Sequence, residues 1–90
     1  MKERSVIAVE QGDWRLQGQD WLREELLRFE RYVPLRPGSE HDHCEFCWTP
    51  FRTRDSEGVA NEGYVTHDRR WICEGCYEDF KLTFDWILMS

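Results

Sequence analysis

Two Cys-x-x-Cys pairs constrain this chain more than any other feature of its sequence. Cys44 and Cys47 form the first pair and Cys73 and Cys76 form the second, with 25 residues between the pairs. A Cys-x-x-Cys turn presents two sulfurs to one point, and two such turns supply the tetrahedral set of soft ligands that Zn²⁺ favours, at about 2.3 Å from the ion. The spacing therefore predicts one zinc ion bound by all four cysteines.

The gap between the pairs is longer than the roughly 15 to 20 residues common in four-cysteine zinc sites, and the polar stretch 52–63 can absorb the difference. Two disulfides, or free buried thiols, are the alternative to a metal. Residues 1–4 lack the apolar core of a secretory signal, so we expect a cytoplasmic protein, and the reducing cytosol argues against disulfides. A thioredoxin-type redox site is disfavoured because that motif occurs once, within a βαβ fold.

The small size of the chain gives the metal its importance. Its 90 residues, of which 40% are hydrophobic and 33% charged, predict a single folded domain with a small core. The longest run of large apolar residues is four, at 86–89, so we expect a soluble protein. Such a core contributes a few kcal/mol, whereas structural zinc supplies on the order of 10 kcal/mol. Because four sulfurs leave no open coordination position, the ion is predicted to be structural and the chain to have no catalytic residues.

Charge divides the chain into two halves. Residues 1–39 carry seven acids and seven bases, whereas residues 40–90 carry eleven acids and five bases, so the second half accounts for the whole net charge of -6. We interpret 1–39 as an N-terminal strand and helix extension and 40–90 as the four-cysteine zinc module. An acidic module would repel a phosphate backbone, because nucleic-acid binding depends on Lys and Arg side chains.

The N-terminal half predicts a short hairpin followed by a helix. Segments 5–10 and 14–17 have the composition or the apolar alternation of strands, with a turn signal between them. A helix is predicted over 20–33, with Asp20 as its N-cap and Pro34 at its end. An apolar stripe at i, i+4, i+7 and i+11 supports the helix. The stripe consists of Leu22, Leu26, Phe29 and Val33.

The cysteine half predicts a β-hairpin followed by a second helix. Strands at 64–66 and 70–73 are joined by a turn and deliver the second cysteine pair. A helix is predicted over 75–88, because apolar residues recur at helical spacing and neither Gly nor Pro follows Gly75. A knuckle, a hairpin and a helix that carries the last two ligands is the order of a treble-clef zinc finger, so the predicted fold is a small α+β domain of that kind. A zinc ribbon, with a second knuckle and no such helix, is the alternative.

His41, Asp42 and His43 precede the first cysteine and raise two further hypotheses. His43 could replace a cysteine as ligand, or the three residues could bind a second, catalytic metal. Four cysteines already complete a zinc site, and a nuclease of the HNH type would need a further Asn and His set that the hairpin and helix lack. We therefore expect these residues to hydrogen-bond near the knuckle or to face solvent.

The aromatic residues are divided between core and surface. One group is predicted to cover the zinc turns and fill the core, since small modules lack aliphatic bulk. This group is Trp48, Phe51, Tyr64 and Trp71. The remaining tryptophans are predicted to pack between the N-terminal part and the last helix, with a recognition surface as the alternative. They are Trp14, Trp21 and Trp86.

The sequence also carries a family resemblance in four stretches: WRLQGQD at 14–20, DHCEFC at 42–47, GYVT at 63–66 and WICEGCYEDF at 71–80. In this order they resemble a group of small bacterial proteins of unassigned function that share a double Cys-x-x-Cys plan. The resemblance covers most of the chain from Trp14 to Trp86. It implies zinc at the four cysteines, a bacterial cytoplasmic setting, and an N-terminal half that packs on the zinc module.

These features favour a zinc-stabilised module that binds another protein. An acidic face with exposed tryptophans fits a basic partner, as in an immunity protein or a small regulator. Nucleic-acid binding is the second hypothesis, since five arginines of the N-terminal half could form a local patch. A small metal-dependent enzyme is the least supported, because a chain of this size offers little pocket volume. The arginines are Arg15, Arg23, Arg28, Arg31 and Arg36, and the enzyme would use His41, Asp42, His43 or His67.

Overall fold

One mixed sheet of four strands and one α-helix make up the fold, in a computed structural model that describes residues 13–34, 36, 38 and 41–89. The sheet has the order β3-β2-β1-β4, in which β2 is antiparallel to β1 and β3, and β4 is parallel to β1. The α+β class is therefore confirmed. The elements are a 3-10 helix at Asp20–Leu22, β1 at Leu26–Arg31, β2 at Glu62–Val65, β3 at Trp71–Ile72, α1 at Glu74–Phe84 and β4 at Ile87–Met89.

The N-terminal elements differ from the predicted ones. The helix predicted over 20–33 is wrong, because this segment forms the short 3-10 helix and then β1. Glu24 has a φ of 60°, a left-handed conformation that stops the helical turn from continuing. Of the predicted hairpin, 14–17 forms turns and bends rather than a strand, and 5–10 lies outside the described residues.

Strand pairing, not local periodicity, decides what β1 buries. Leu27 is fully buried, whereas Leu26, a member of the predicted helical stripe, is 46% exposed. β1 pairs with β2 on one side, with Phe29 opposite Tyr64, and with β4 on the other, with Leu27 opposite Leu88. Backbone hydrogen bonds to two strands that are distant in sequence override the apolar spacing that favoured a helix.

The predicted hairpin in the cysteine half is confirmed by β2 and β3. Thr66 closes the turn, because its N–H donates to the Arg70 carbonyl at 3.0 Å. Gly63 in β2 is required by close packing: a Cβ at this position would lie 2.8 Å from the carbonyl oxygen of Ile72 and 2.9 Å from the Phe51 ring. The hairpin therefore brings the loop after the first cysteine pair against the strand that leads to the second pair.

The last helix is shorter than predicted. The helix predicted over 75–88 ends at Phe84, where Asp85 takes a left-handed conformation with φ 54° and ψ 44°. The Trp86 N–H donates to the Lys81 carbonyl at 3.3 Å, which satisfies a carbonyl at the helix end. The chain then turns back as β4 and pairs with β1, so residues 87 and 88 are in a strand rather than in the helix.

Aromatic rings fill the space between α1 and the sheet. Tyr77 of α1 stacks on Tyr64 of β2 with ring centroids 3.7 Å apart. Phe46, in the first cysteine turn, contacts Phe80 of α1 at 4.9 Å. Trp86 also belongs to this layer, and its indole N–H donates to the Leu22 carbonyl at 2.8 Å. This core places the start of α1 directly beside the first cysteine turn.

Within the described part of the chain, no helix has both the length and the apolar character that crossing a membrane requires.

Candidate metal centre

The first cysteine pair lies on a tight turn that is closed by backbone hydrogen bonds. The Cys44 N–H donates to the Thr49 carbonyl at 2.8 Å, and the Cys44 carbonyl accepts from the Trp48 N–H at 3.1 Å. Trp48 has a φ of 69°, so the chain reverses there in a left-handed conformation. An isolated bridge between His43 and Pro50 joins the two ends of the turn. The turn is therefore a knuckle in which both sulfurs face the same side.

The second pair lies at the start of α1, as the sequence predicts. Cys73 directly follows β3 and is the N-cap residue of α1, with an extended backbone at φ -71° and ψ 162°. Its carbonyl accepts from the Tyr77 N–H at 2.9 Å, which begins the helix. Cys76 is in the first turn, where the positive end of the helix dipole favours negative charge on sulfur.

The four sulfurs form one cluster that could hold a metal ion. The Sγ atoms of Cys44, Cys47, Cys73 and Cys76 all lie within 4.8 Å of one another. The Cys47 and Cys73 sulfurs, one from each pair, are 3.6 Å apart, which is close to the separation of about 3.8 Å that a tetrahedron with bonds of about 2.3 Å requires. Two disulfides would need sulfurs to meet only in pairs, whereas here all four converge and none is bonded to another.

Hydrogen bonds to Cys44 prepare its sulfur for a negative charge. The N–H groups of Phe46 and Cys73 each point at the Cys44 Sγ, at 3.4 Å. Hydrogen bonds from the Cys73 and Cys76 thiols and from backbone N–H groups lower the pKa of Cys44 to about 2. The same contact with Cys44 raises the pKa of Cys73 to about 11 and raises the pKa of Cys76. Cysteines bind a metal as thiolates, so metal binding at this cluster releases protons.

Two polar contacts around the cluster were not predicted. The Thr49 hydroxyl lies 3.0 Å from the Cys47 Sγ, and the Arg15 guanidinium donates to the Cys76 Sγ at 3.5 Å. Arg15 was grouped with the arginines of a possible nucleic-acid patch, yet it faces the cysteines and a carboxylate of α1 instead. Local sequence patterns cannot predict this contact, because Arg15 and Cys76 are 61 residues apart in sequence.

Gln19 ties the same N-terminal segment to the knuckle. Its side chain is largely buried. The amide nitrogen donates to the carbonyl oxygens of Arg15 at 2.9 Å and Glu45 at 3.0 Å, and the amide oxygen accepts from the Gln17 N–H at 2.7 Å. Gln19 therefore holds the WRLQGQD stretch against the first cysteine turn, and Arg15 holds it against the second cysteine pair.

The histidines are not part of the cluster. His43 Nδ1 lies 3.0 Å from the His41 carbonyl, in agreement with the expected hydrogen bond near the knuckle. Asp42 accepts a hydrogen bond from the Tyr32 hydroxyl at 2.7 Å, and His67 lies 3.6 Å from the Glu25 carboxylate. Among the described residues, the four cysteines are the one group of His, Cys, Asp and Glu side chains that brings three or more ligand atoms together.

The tryptophans follow the predictions only in part. Trp71 is buried in the core, as predicted. Trp86 is partly buried and packs against the core. Trp48 was predicted to cover the zinc turns, but its side chain is 59% exposed. Trp14 and Trp21 are also exposed, and the Arg70 guanidinium lies 5.2 Å from the Trp21 ring centroid.

Comparisons with family models, with curated proteins and with solved structures find no match to this chain.

Proposed function

We propose that the chain is a small protein-binding module whose fold is held by one structural Zn²⁺ ion at Cys44, Cys47, Cys73 and Cys76. The observation that carries the proposal is the convergence of four sulfurs, two from a knuckle and two from the start of a helix. Zinc is the metal that this donor set fits best, because thiolates in tetrahedral geometry are its preferred structural ligands.

The order of elements supports a treble-clef-like arrangement over residues 40–90. A knuckle with the first pair is followed by the β2–β3 hairpin and then by α1, whose first turn carries the second pair. A zinc ribbon would place Cys73 and Cys76 in a second knuckle instead. The sheet adds β1 from the N-terminal half, so the module and its extension share one layer of strands.

A zinc ion bound by four sulfurs has no free position for water or substrate, so its role is to hold the fold together. For that reason we assign no catalytic residue to the site. The resemblance to small bacterial proteins with a double Cys-x-x-Cys plan fits this role, as does a reducing cytoplasm in which thiolates persist.

The partner would dock on a surface that combines negative charge with exposed apolar groups. Leu82 of α1 is 85% exposed and shares its side of the helix with the exposed Glu78, which pairs with Lys81 at 2.9 Å. The exposed Asp85 directly follows the helix. A basic protein with an apolar side chain at its centre would match this surface, which we call the acidic helix face. It is defined by Glu74, Glu78, Leu82 and Asp85.

Nucleic-acid binding finds less support. Arg15 is paired with Asp13 and Asp79, and Arg28 lies 3.4 Å from Glu30. Arg23 donates to the Thr83 carbonyl at 2.8 Å. Arginines engaged in this way offer little free positive charge to a phosphate backbone, and the acidic second half adds repulsion.

Cobalt substitution tests the metal site directly. Protein refolded with Co²⁺ should show the intense thiolate charge-transfer and d–d absorption of a tetrahedral four-sulfur site, and one equivalent of Zn²⁺ should abolish it. Cys47→Ser should change both bands, whereas His43→Ala should leave them unchanged. A spectrum that depends on His43 and not on Cys47 would refute the assignment of the ligands.

The binding role has a separate test. Tagged, zinc-loaded protein should retain a stoichiometric basic partner from host extract, and Leu82→Asp should abolish that retention. Val33→Asp, at another exposed apolar position, is the matched control and should retain the partner. Equal retention of the partner by both variants would show that the acidic helix face is not the docking surface.

A further inference from the structure

Arg15 is the one cationic group that touches a cysteine sulfur among the hydrogen bonds of the described residues. Its Nη1 atom donates to the Cys76 Sγ at 3.5 Å and to the Asp79 carboxylate at 2.9 Å. The other sulfurs have no cationic partner among the hydrogen bonds of the described residues: Cys44 accepts from backbone N–H groups, Cys47 lies beside the Thr49 hydroxyl, and Cys73 lies beside the Cys47 sulfur. Cys76 therefore differs from the other three cysteines in meeting a full positive charge.

The guanidinium is fixed from several directions by residues of the chain. Asp13 accepts from the Arg15 Nε at 2.9 Å and from its Nη2 at 2.6 Å, a fork geometry that fixes the plane of the group. The Arg15 guanidinium carbon lies 4.5 Å from the Phe80 ring centroid. The side chain is only 20% exposed, so water screens its charge less than at an open surface. Arg15 is thus preorganised to hold one position relative to Cys76.

We propose that Arg15 is a positioning residue of the metal centre, which stabilises the Cys76 thiolate as a ligand and slows its dissociation. The inference rests on the proposed function, because it requires a metal at the four sulfurs. Four thiolates and one Zn²⁺ carry a net charge of about -2 by simple addition of formal charges. A fixed guanidinium beside one sulfur lowers the electrostatic cost of gathering that charge, in the way that outer partners commonly orient and tune metal ligands.

Thermodynamic linkage makes the effect reciprocal. If Arg15 favours the bound metal, the bound metal favours the docked conformation of Arg15 by the same factor. Because Gln19 and Arg15 hold the same segment, metal loading should also hold residues 13–19 against the knuckle and α1. The N-terminal segment therefore acts as a metal-dependent clamp rather than as a passive extension.

Arg23 provides a matched control for this role. It also connects the N-terminal part to α1, through the Thr83 carbonyl and through its guanidinium carbon 5.3 Å from the Phe84 ring centroid. Among the described residues its partners are the Asp20 carboxylate, the Thr83 carbonyl and the Phe84 ring, and none of them is a cysteine. Arg15→Gln and Arg23→Gln thus each remove an arginine that contacts the same helix, and only the first removes a charge from a sulfur.

The test measures zinc affinity by competition with a chromogenic chelator, on full-length protein whose zinc content has been verified. Loss of an outer partner typically lowers metal affinity 10- to 100-fold, and we expect a loss in that range for Arg15→Gln, a smaller loss for Arg15→Lys, and no change for Arg23→Gln. Asp13→Asn, which loosens the fork that fixes the Arg15 guanidinium, should weaken binding in the same direction by a smaller factor and remains informative if Arg15→Gln does not fold.

A second readout identifies the sulfur. Each loaded variant is treated with iodoacetamide and the labelled cysteines are mapped by peptide mass spectrometry. Cys76 should be labelled faster in Arg15→Gln than in Arg23→Gln, and lysine at position 15 should partly restore its protection. Equal zinc affinity and equal Cys76 labelling in the two glutamine variants would overturn the proposal while leaving the zinc site intact. Wild-type protein that binds no zinc would overturn the proposed function and this inference with it.

Discussion

The four-cysteine cluster is much easier to predict from sequence than strand β1. Each cysteine pair is a local unit, so a spacing of three residues already places two sulfurs together. β1 is defined by its neighbours, because it pairs with β2 on one side and β4 on the other. Ligand spacing therefore predicts a site from a few consecutive residues, whereas the identity of a central strand depends on segments far along the chain.

Metal removal should have the largest effect on the structure of both regions. Chelation should abolish the tertiary structure of residues 41–88, and also that of β1, because β1 lies between two strands of the cysteine half. The expected loss is on the order of 10 kcal/mol of apparent binding energy. Near-ultraviolet circular dichroism and tryptophan fluorescence report the loss of tertiary structure, and added zinc should restore both signals.

Native spectra after elemental analysis has shown the metal to be absent would contradict a structural role. Retention of signal by β1 alone, detected by amide hydrogen exchange, would instead separate the two regions that the shared sheet connects.

Alanine substitutions at neighbouring leucines distinguish the strand from the helix predicted earlier. Leu27→Ala should cost about 2 to 5 kcal/mol, because it opens a cavity at a fully buried position. Leu26→Ala should cost about 1 kcal/mol or less, since its side chain is half exposed. Urea unfolding of the zinc-loaded proteins gives both values. A larger cost at Leu26 would favour the helical stripe over the strand.

Two glycines test the packing of the hairpin against the loop that follows the knuckle. Gly63→Ala should destabilise by about 1 to 3 kcal/mol, because the new methyl group would meet Phe51 and the Ile72 carbonyl. Gly75→Ala is the matched control in α1, where nothing lies within 4 Å of the added Cβ. Alanine there should stabilise by up to about 1 kcal/mol. Thermal unfolding of the two variants should therefore shift in opposite directions.

The smallest expected effect concerns the residue that ends α1 and directs the chain into β4. Asp85 has a φ of 54°, which glycine adopts freely. Asp85→Gly should therefore be neutral or stabilising by about 0.5 kcal/mol, whereas Asp85→Ala should destabilise by about 1 kcal/mol. The difference between the two midpoints of urea unfolding is the useful quantity. Equal midpoints would indicate that α1 continues beyond Phe84.

The four-cysteine cluster and the elements that carry it could largely be predicted from sequence. The β-rich residues on both sides of a polar turn predicted the hairpin, and Cys73 followed β3 as expected. The start of α1 was predicted within one residue, because no helix-breaking residue follows Gly75. These features depend on a few neighbouring residues, so their physical cause is visible in the local sequence.

The remaining features depend on contacts between distant residues. The apolar spacing at Leu22 and Leu26 fitted a helix, and only pairing with β2 and β4 reveals a strand. Residues 87 and 88 could have continued α1, since Asp is not a strong helix breaker and neither Gly nor Pro occurs after Gly75. The sequence offers Arg15 only as a member of a possible arginine patch, because its sulfur partner lies in the other half of the chain.

Metal stoichiometry measured together with thiol protection tests the central claim most directly. Native mass spectrometry of freshly purified protein should show one zinc ion per chain, and all four cysteines should resist alkylation until the protein is denatured and the metal chelated. A chain whose mass corresponds to oxidised cystines without metal, or whose cysteines react in the folded state as free thiols, would contradict the account.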